Sequence, residues 1–144
     1  MNQILYVKTR FMVLLANATF YVTDGYEEFF SKNENGEKLT TGKFTIVYEG
    51  EMAGESILME LKNNMNKSNS TVYGLERFTG KIAGKMGSIV LEHKGYYENG
   101  LVTTVRKIVP GSGTNELINI NGKILFTSKN AKEYHITLEY SFEN

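Results

Sequence analysis

From Asn17 onward the chain alternates apolar and polar positions with a period of two, in runs that end at glycine or asparagine. That period marks half-buried strands, since successive side chains on a strand point to opposite faces. The runs cover residues 19–23, 43–52, 55–65, 71–82, 85–98, 101–109, 121–128 and 133–142. Residues 24–41 are polar, carry Asn35-Gly36, and read as a long loop. Most connections are too short for the crossover that a parallel pair needs, so neighbouring strands run antiparallel. Long strands in up-and-down order favour a closed barrel, which leaves no free edges. The pattern predicts an all-β, antiparallel up-and-down β-barrel of about eight strands. Pro110 ends one strand, and Thr114 is expected to cap a short helical turn through Leu117, with Glu116 in its first turn.

Turn chemistry sets the register. Asn99-Gly100 and Ala83-Gly84 read as two-residue hairpin loops, with glycine supplying the positive φ. The segment Tyr48-Glu49-Gly50-Glu51-Met52-Ala53-Gly54 recurs as Phe78-Thr79-Gly80-Lys81-Ile82-Ala83-Gly84, which places a turn at Ala53-Gly54 as well. With these loops Ile82 pairs with Lys85, Phe78 with Ile89, Glu76 with Leu91, Gly74 with His93, and His93 with Arg106. One face of the three central strands then carries Glu76, Phe78, Leu91, His93, Tyr97, Thr104 and Arg106 among aliphatic residues. The other carries Arg77, Lys81, Glu92, Lys94 and Lys107. An unpaired buried ion is costly, so the face with fewer charges is the lumen. By the same reading Phe44, Ile46, Tyr48, Met52, Ile57, Met59 and Leu61 point inward. So do Tyr134, Ile136, Leu138, Tyr140 and Phe142, with His135 and Glu139 outside.

A carboxylate, an imidazole and a guanidinium therefore project into an otherwise apolar barrel. His93 lies opposite Arg106, and Glu76 is diagonal to His93 at roughly 7–8 Å between Cα atoms. Two readings follow. One is an internal network that fixes strand register. The other is the polar end of a ligand pocket, with Glu76 as acceptor or base, His93 as donor or proton shuttle, and Arg106 as an anion or carbonyl anchor. Thr104, Phe78, Leu91, Tyr97, Tyr48 and Tyr140 would line that pocket. A desolvated Glu76 without a close partner would titrate high; one paired with Arg106 or a protonated His93 would titrate low. On the outer face Leu75, Val90 and Val105 lie on neighbouring strands. They are either scattered apolar surface or a homo-oligomer contact.

Composition narrows the partners. The 144 residues suit one domain, and Val, Ile, Thr, Phe and Tyr supply about a third of them, as a pleated surface requires. Zero net charge argues against a nucleic acid or an acidic membrane as partner. Without cysteine there is no disulfide scaffold, thiol catalysis or thiolate metal site, and two histidines argue against a multi-histidine metal site. No metal and no cofactor is expected. No stretch approaches the roughly 18 apolar residues that cross a bilayer. The apolar run Phe11–Leu15, between Lys8, Arg10 and Ala16-Asn17-Ala18, is shorter than a signal core of about 7–15 residues. Residues 1–16 therefore read as an N-terminal extension on a single barrel domain, 17–144, with a cytoplasmic location. Pro110-Gly111-Ser112-Gly113-Thr114 lacks the spacing and the lysine of a phosphate loop.

Three blocks carry a family resemblance: Gly74-Leu75-Glu76-Arg77-Phe78-Thr79-Gly80, the stretch Gly87 through Gly95 that contains Glu92-His93-Lys94, and Val109 through Leu117. Together they resemble the signature blocks of a bacterial domain of unknown function, family 3224, over residues 17–143. That family is similar in fold to the allene oxide cyclase barrel, itself lipocalin-like. The resemblance implies an eight-stranded antiparallel barrel and no established activity. Glu76 and His93 match the family motifs, whereas Arg106 stands where members usually have an aromatic residue. Cyclase residues do not map position by position, so cyclase activity is analogy from the fold alone.

Three functions stay open. The first is a barrel that binds a small apolar or amphipathic molecule, with a polar or acidic head, in its lumen. The second is a cofactor-independent isomerase or cyclase using Glu76 and His93. The third is a structural or oligomerising protein with a filled barrel.

Overall fold

The structure is a computed structural model and describes residues 12–143. Eight strands form one closed antiparallel barrel in sequence order. They are β1 (Leu14–Lys32), β2 (Lys38–Gly50), β3 (Met52–Asn64), β4 (Asn69–Ile82), β5 (Lys85–Glu98), β6 (Leu101–Ile108), β7 (Ile120–Lys129) and β8 (Tyr134–Phe142). Pairing of β1 with β8, from Leu14 opposite Tyr140 to Phe20 opposite Tyr134, closes the ring. Eleven residues of the expected extension lie outside the described residues, but Leu14–Ala16 belong to β1, and Ala16 is fully buried against β8.

The central register is as expected. Ala83 and Gly84 (φ 50° and 82°) and Asn99 and Gly100 (φ 49° and 85°) form two-residue loops with positive φ at both positions. Phe78 faces Ile89, Gly74 faces His93, and His93 faces Arg106. The inward face packs Phe78, Ile82, Ile89, Leu91, Ile124 and Leu138 with no solvent exposure. Each such side chain contributes about 1.5–3 kcal/mol by leaving water.

Two stretches depart from the expected pattern. Residues 24–41 are not a loop: β1 continues to Lys32, turns at residues 33–37, and returns as β2. Register shifts between Val22 and Asp24 and between Phe29 and Ser31 interrupt the pairing. Each bulge reverses the inside–outside parity, so the alternation that would reveal the strand is lost.

The second departure is in β3. The chain turns at Gly50-Glu51, not at Ala53-Gly54, so Tyr48 pairs with Gly54 and Ile46 with Ser56. Ser56 and Leu58 point inward, while Ile57, Met59 and Leu61 are exposed. The Ala-Gly of the first repeat copy serves a different purpose from that of the second. Gly54 lies directly opposite Gly80 on β4, and a Cβ on either would collide with the neighbouring backbone carbonyl, at Thr79 or Ala53.

One end of the barrel is sealed without a strand. β6 stops at Ile108, which leaves the β5 edge from Met86 to Val90 without a paired strand. Alternate side chains of the next segment accept its amide protons: Ser112 Oγ from Val90 (3.0 Å), Thr114 Oγ1 from Ser88 (2.9 Å) and Glu116 Oε1 from Met86 (3.0 Å). Thr114 therefore does not cap through its side chain the single 3₁₀ turn, Asn115–Leu117, because its hydroxyl is engaged with Ser88. Leu117 is fully buried at this end.

Candidate functional site

Each candidate side chain sits on an inward strand position. Tyr48 comes from β2, Glu76 from β4, His93 from β5, and Thr104 and Arg106 from β6. Gly74, opposite His93, keeps β4 close to β3, since a Cβ there would lie 3.0 Å from both Leu58 Cδ1 and the Met59 carbonyl oxygen.

Glu76 has no solvent exposure and is held from two sides. His93 Nε2 donates to Oε1 at 2.7 Å, and the Tyr48 hydroxyl donates to Oε2 through a short hydrogen bond. Burial pushes the Glu76 carboxyl up. The His93 and Tyr48 hydrogen bonds and the neighbouring positive charge outweigh it, so the group titrates below its ordinary range. Burial is also what holds His93 below its ordinary value, with the Arg106 charge acting in the same direction against Glu76. A neutral His93 cannot supply that positive charge, which leaves Arg106 as the lasting cation beside Glu76. Burial first, and then the Glu76 charge, pushes the Tyr48 phenol well above its ordinary value, so Tyr48 stays a donor. An ionised carboxylate only accepts, so the His93 proton sits on Nε2. His93 Nδ1 is then a bare buried acceptor with no partner among the described residues.

Arg106 is placed differently. Its guanidinium lies over the Phe126 ring at 4.3 Å and the Phe20 ring at 5.1 Å. Nε donates to Thr104 Oγ1 at 3.2 Å, the guanidinium's only hydrogen bond among the described residues. None of the described carboxylates lies within ion-pair distance of it. Arg106 lines a cavity of about 490 Å³ that opens to solvent at the end of the barrel away from Leu117, walled by Phe20, Phe44, Ile46, Leu58, Phe126 and Tyr134 among others. The rim is polar: Lys62 lies 3.4 Å from Glu27 and 3.8 Å from Glu60. A larger depression of about 760 Å³ lies outside the barrel around Asn17 and His135, beside no buried charged side chain.

Of the residues expected to line a pocket, Arg106 and Tyr97 do so. Glu76, His93 and Tyr48 form one sealed network beside the cavity rather than in it. Thr104 positions Arg106. Phe78, Leu91 and Tyr140 are core, packed away from the cavity. Phe20 and Phe126, the rings that hold the guanidinium, went unassigned from sequence, although strand parity alone could have found Phe126 beside Ile124. Glu27, Glu60 and Lys62 were hidden by the bulges of β1 and the displaced turn before β3. On the outside, Leu75 and Val105 are exposed, but Val90 is half-buried where residues 109 and 112 bond to it.

The fold and site thus define a small closed β-barrel with a buried guanidinium, Arg106, in the wall of a cavity open at one mouth. The chain matches the family described as "Protein of unknown function (DUF3224)" over residues 16–140, and it belongs to that family. It is similar to a solved protein of unknown function from the same family in Shewanella oneidensis MR-1, with 22% identity and a TM-score of 0.80. The match covers 92% of this chain and 100% of that one. Identity this low speaks to the shared fold. No curated protein matches the chain.

Proposed function

We propose that this barrel binds one small apolar molecule with an anionic head, the head on Arg106 and the body against the aromatic wall. The observation that carries this reading is a buried guanidinium that lines a cavity and has no carboxylate within ion-pair distance among the described residues, Glu76 acting on it only from farther off. Such a cation is expensive, and an apolar side chain of similar volume would commonly be more stable in its place. Departures of this kind from local stability are expected where a fold keeps a function. The cavity, about 490 Å³, falls within the range of small-molecule sites. A filled structural barrel would not need it.

The geometry favours binding over turnover. A general acid or base has to come within hydrogen-bond reach of the bound molecule. Glu76 and His93 are spent on each other and on Tyr48, and neither lines the cavity.

Two naphthalene dyes test the reading: anilinonaphthalene sulfonate, which is anionic, and N-phenylnaphthylamine, which is neutral. The native chain is expected to bind the sulfonate saturably, one per chain. Arg106→Met is expected to weaken the sulfonate by on the order of tenfold or more, as loss of a charge-assisted hydrogen bond does, and to leave the neutral dye unchanged. Equal sulfonate affinity in the two proteins, or no saturable binding of either dye, would sink the proposal.

A further inference from the structure

The displaced turn before β3 has a consequence on the other side of the sheet. With even-numbered residues of β3 and β4 inside, Ile57, Met59, Leu61, Tyr73 and Leu75 all point outward and are 46% to 56% exposed. They are neighbours in the ladder: Met59 faces Leu75, and Leu61 faces Tyr73. Together they expose on the order of 500 Å² of mostly apolar surface, near the upper end of what soluble monomers leave uncovered. Between them lies a groove of about 400 Å³ over Gly74, which presents no side chain.

We propose that this face is where two copies of the chain pair, about a two-fold axis running along the strands between β3 and β4. The order of residues across the face suits a second copy rather than another partner. One row reads Lys43, Met59, Leu75, Glu92 across β2 to β5. A two-fold axis through the middle of that row, parallel to the strands, exchanges β3 with β4 and β2 with β5 at the same height. Met59 then lies over Leu75 of the partner subunit, and Lys43 over Glu92 of the partner subunit, twice by symmetry. The next row reads Thr41, Leu61, Tyr73, Lys94, so Leu61 meets the partner's Tyr73. The row on the other side reads Thr45, Ile57, Arg77, Val90, so Ile57 meets the aliphatic stem of the partner's Arg77. No like charges are brought together in any of the three rows.

Two further features fit. At this face β3 is paired on both sides by β2 and β4, and β4 by β3 and β5, so a second copy meets it face to face and not by adding a strand. With its charged flank included, the face approaches the roughly 800 Å² per partner of a standard interface. Within one chain Lys43 makes no ion pair among the described residues, and Glu92 has only Lys94 at 3.6 Å, an exposed pair of small worth. The surface is separate from the cavity, so the pairing stands or falls independently of what the lumen binds.

Sedimentation equilibrium of the full chain at micromolar concentrations tests this. The native chain is expected to show a reversible monomer–dimer equilibrium. Lys43→Glu sets glutamate against glutamate at both ends and is expected to weaken pairing by on the order of tenfold or more. Glu92→Lys should do the same, and the double swap Lys43→Glu, Glu92→Lys should restore pairing. Met59→Glu should leave only monomer. All these positions point outward, and an unchanged thermal melt at high dilution certifies each variant as folded, with Lys43→Ala replacing any that is not. A native chain that stays monomeric, a dimer indifferent to Met59→Glu, or a double swap that fails to recover would each overturn the proposal.

Discussion

His93 Nε2 and Glu76 Oε1 are 2.7 Å apart although the two residues are not directly paired, Glu76 standing opposite Leu91 and His93 opposite Gly74. The diagonal works because diagonal neighbours on paired strands stay within reach of long side chains. The result is a sealed carboxylate with two donors, and it makes stability depend on pH in a definite direction. Burial holds folded His93 below 6.5, so as pH falls the unfolded chain takes up that proton first. Glu76 is likewise lowered below 4.5 in the folded chain, against the pull of its burial, by its hydrogen bonds and the nearby cation.

Both shifts act with the same sign. Stability should be flat above pH 6.5 with respect to these groups, fall as pH drops below 6.5, and fall again below 4.5. The slope from one such proton is at most about 1.4 kcal/mol per pH unit. Urea midpoints across this range check the expectation. His93→Gln keeps a donor for Glu76 but does not titrate, so it should lose the first decline and retain the second. A decline that survives intact in His93→Gln belongs to another group.

The side-chain ladder at the sealed end gives a second expectation. Thr114→Val keeps the shape of the residue but removes the oxygen that accepts the Ser88 amide proton. The bond is exposed, so water can take the place of the lost acceptor, and the change should cost about 0.5–1.5 kcal/mol. Hydrogen exchange should show the loss locally, with the amide of Ser88 exchanging faster and those of the β4–β5 hairpin loop unaffected. If the Ser88 amide exchanges as slowly in Thr114→Val as in the native chain, the ladder is not what protects the β5 edge.

Legibility followed local turn chemistry. Asn99-Gly100 and Ala83-Gly84 each allow one tight loop, so β4, β5 and β6 and the inward placement of Glu76, His93 and Arg106 could be read from residue types alone. The same logic failed at Ala53-Gly54, because glycine also answers a close approach between strands, here Gly54 against Gly80. The outer half of β1 was hidden because its two bulges break the period of two. The cavity itself was not legible. Which inward side chains touch depends on how wide the barrel closes and on rings such as Phe20 and Phe126 reaching across it. Neither is encoded in the alternation of a single strand.

Parity in β3 can be tested with one residue type. Ile46 on β2 is 1% exposed, whereas Ile57 on β3 is 52% exposed. A turn at Ala53-Gly54 would have put both inside; the turn at Gly50-Glu51 puts them on opposite faces. Ile46→Ala removes buried methyl groups and opens a void beside Tyr48 and Phe20, and should cost about 2–5 kcal/mol. Ile57→Ala takes from the folded monomer a side chain that is already half in water, and should cost under about 0.5 kcal/mol when measured at high dilution. Thermal or urea unfolding of the two variants under the same conditions separates the cases. Equal costs would mean that β3 shows Ile57, not Leu58, to the core, and the outward patch built on that strand would go with it.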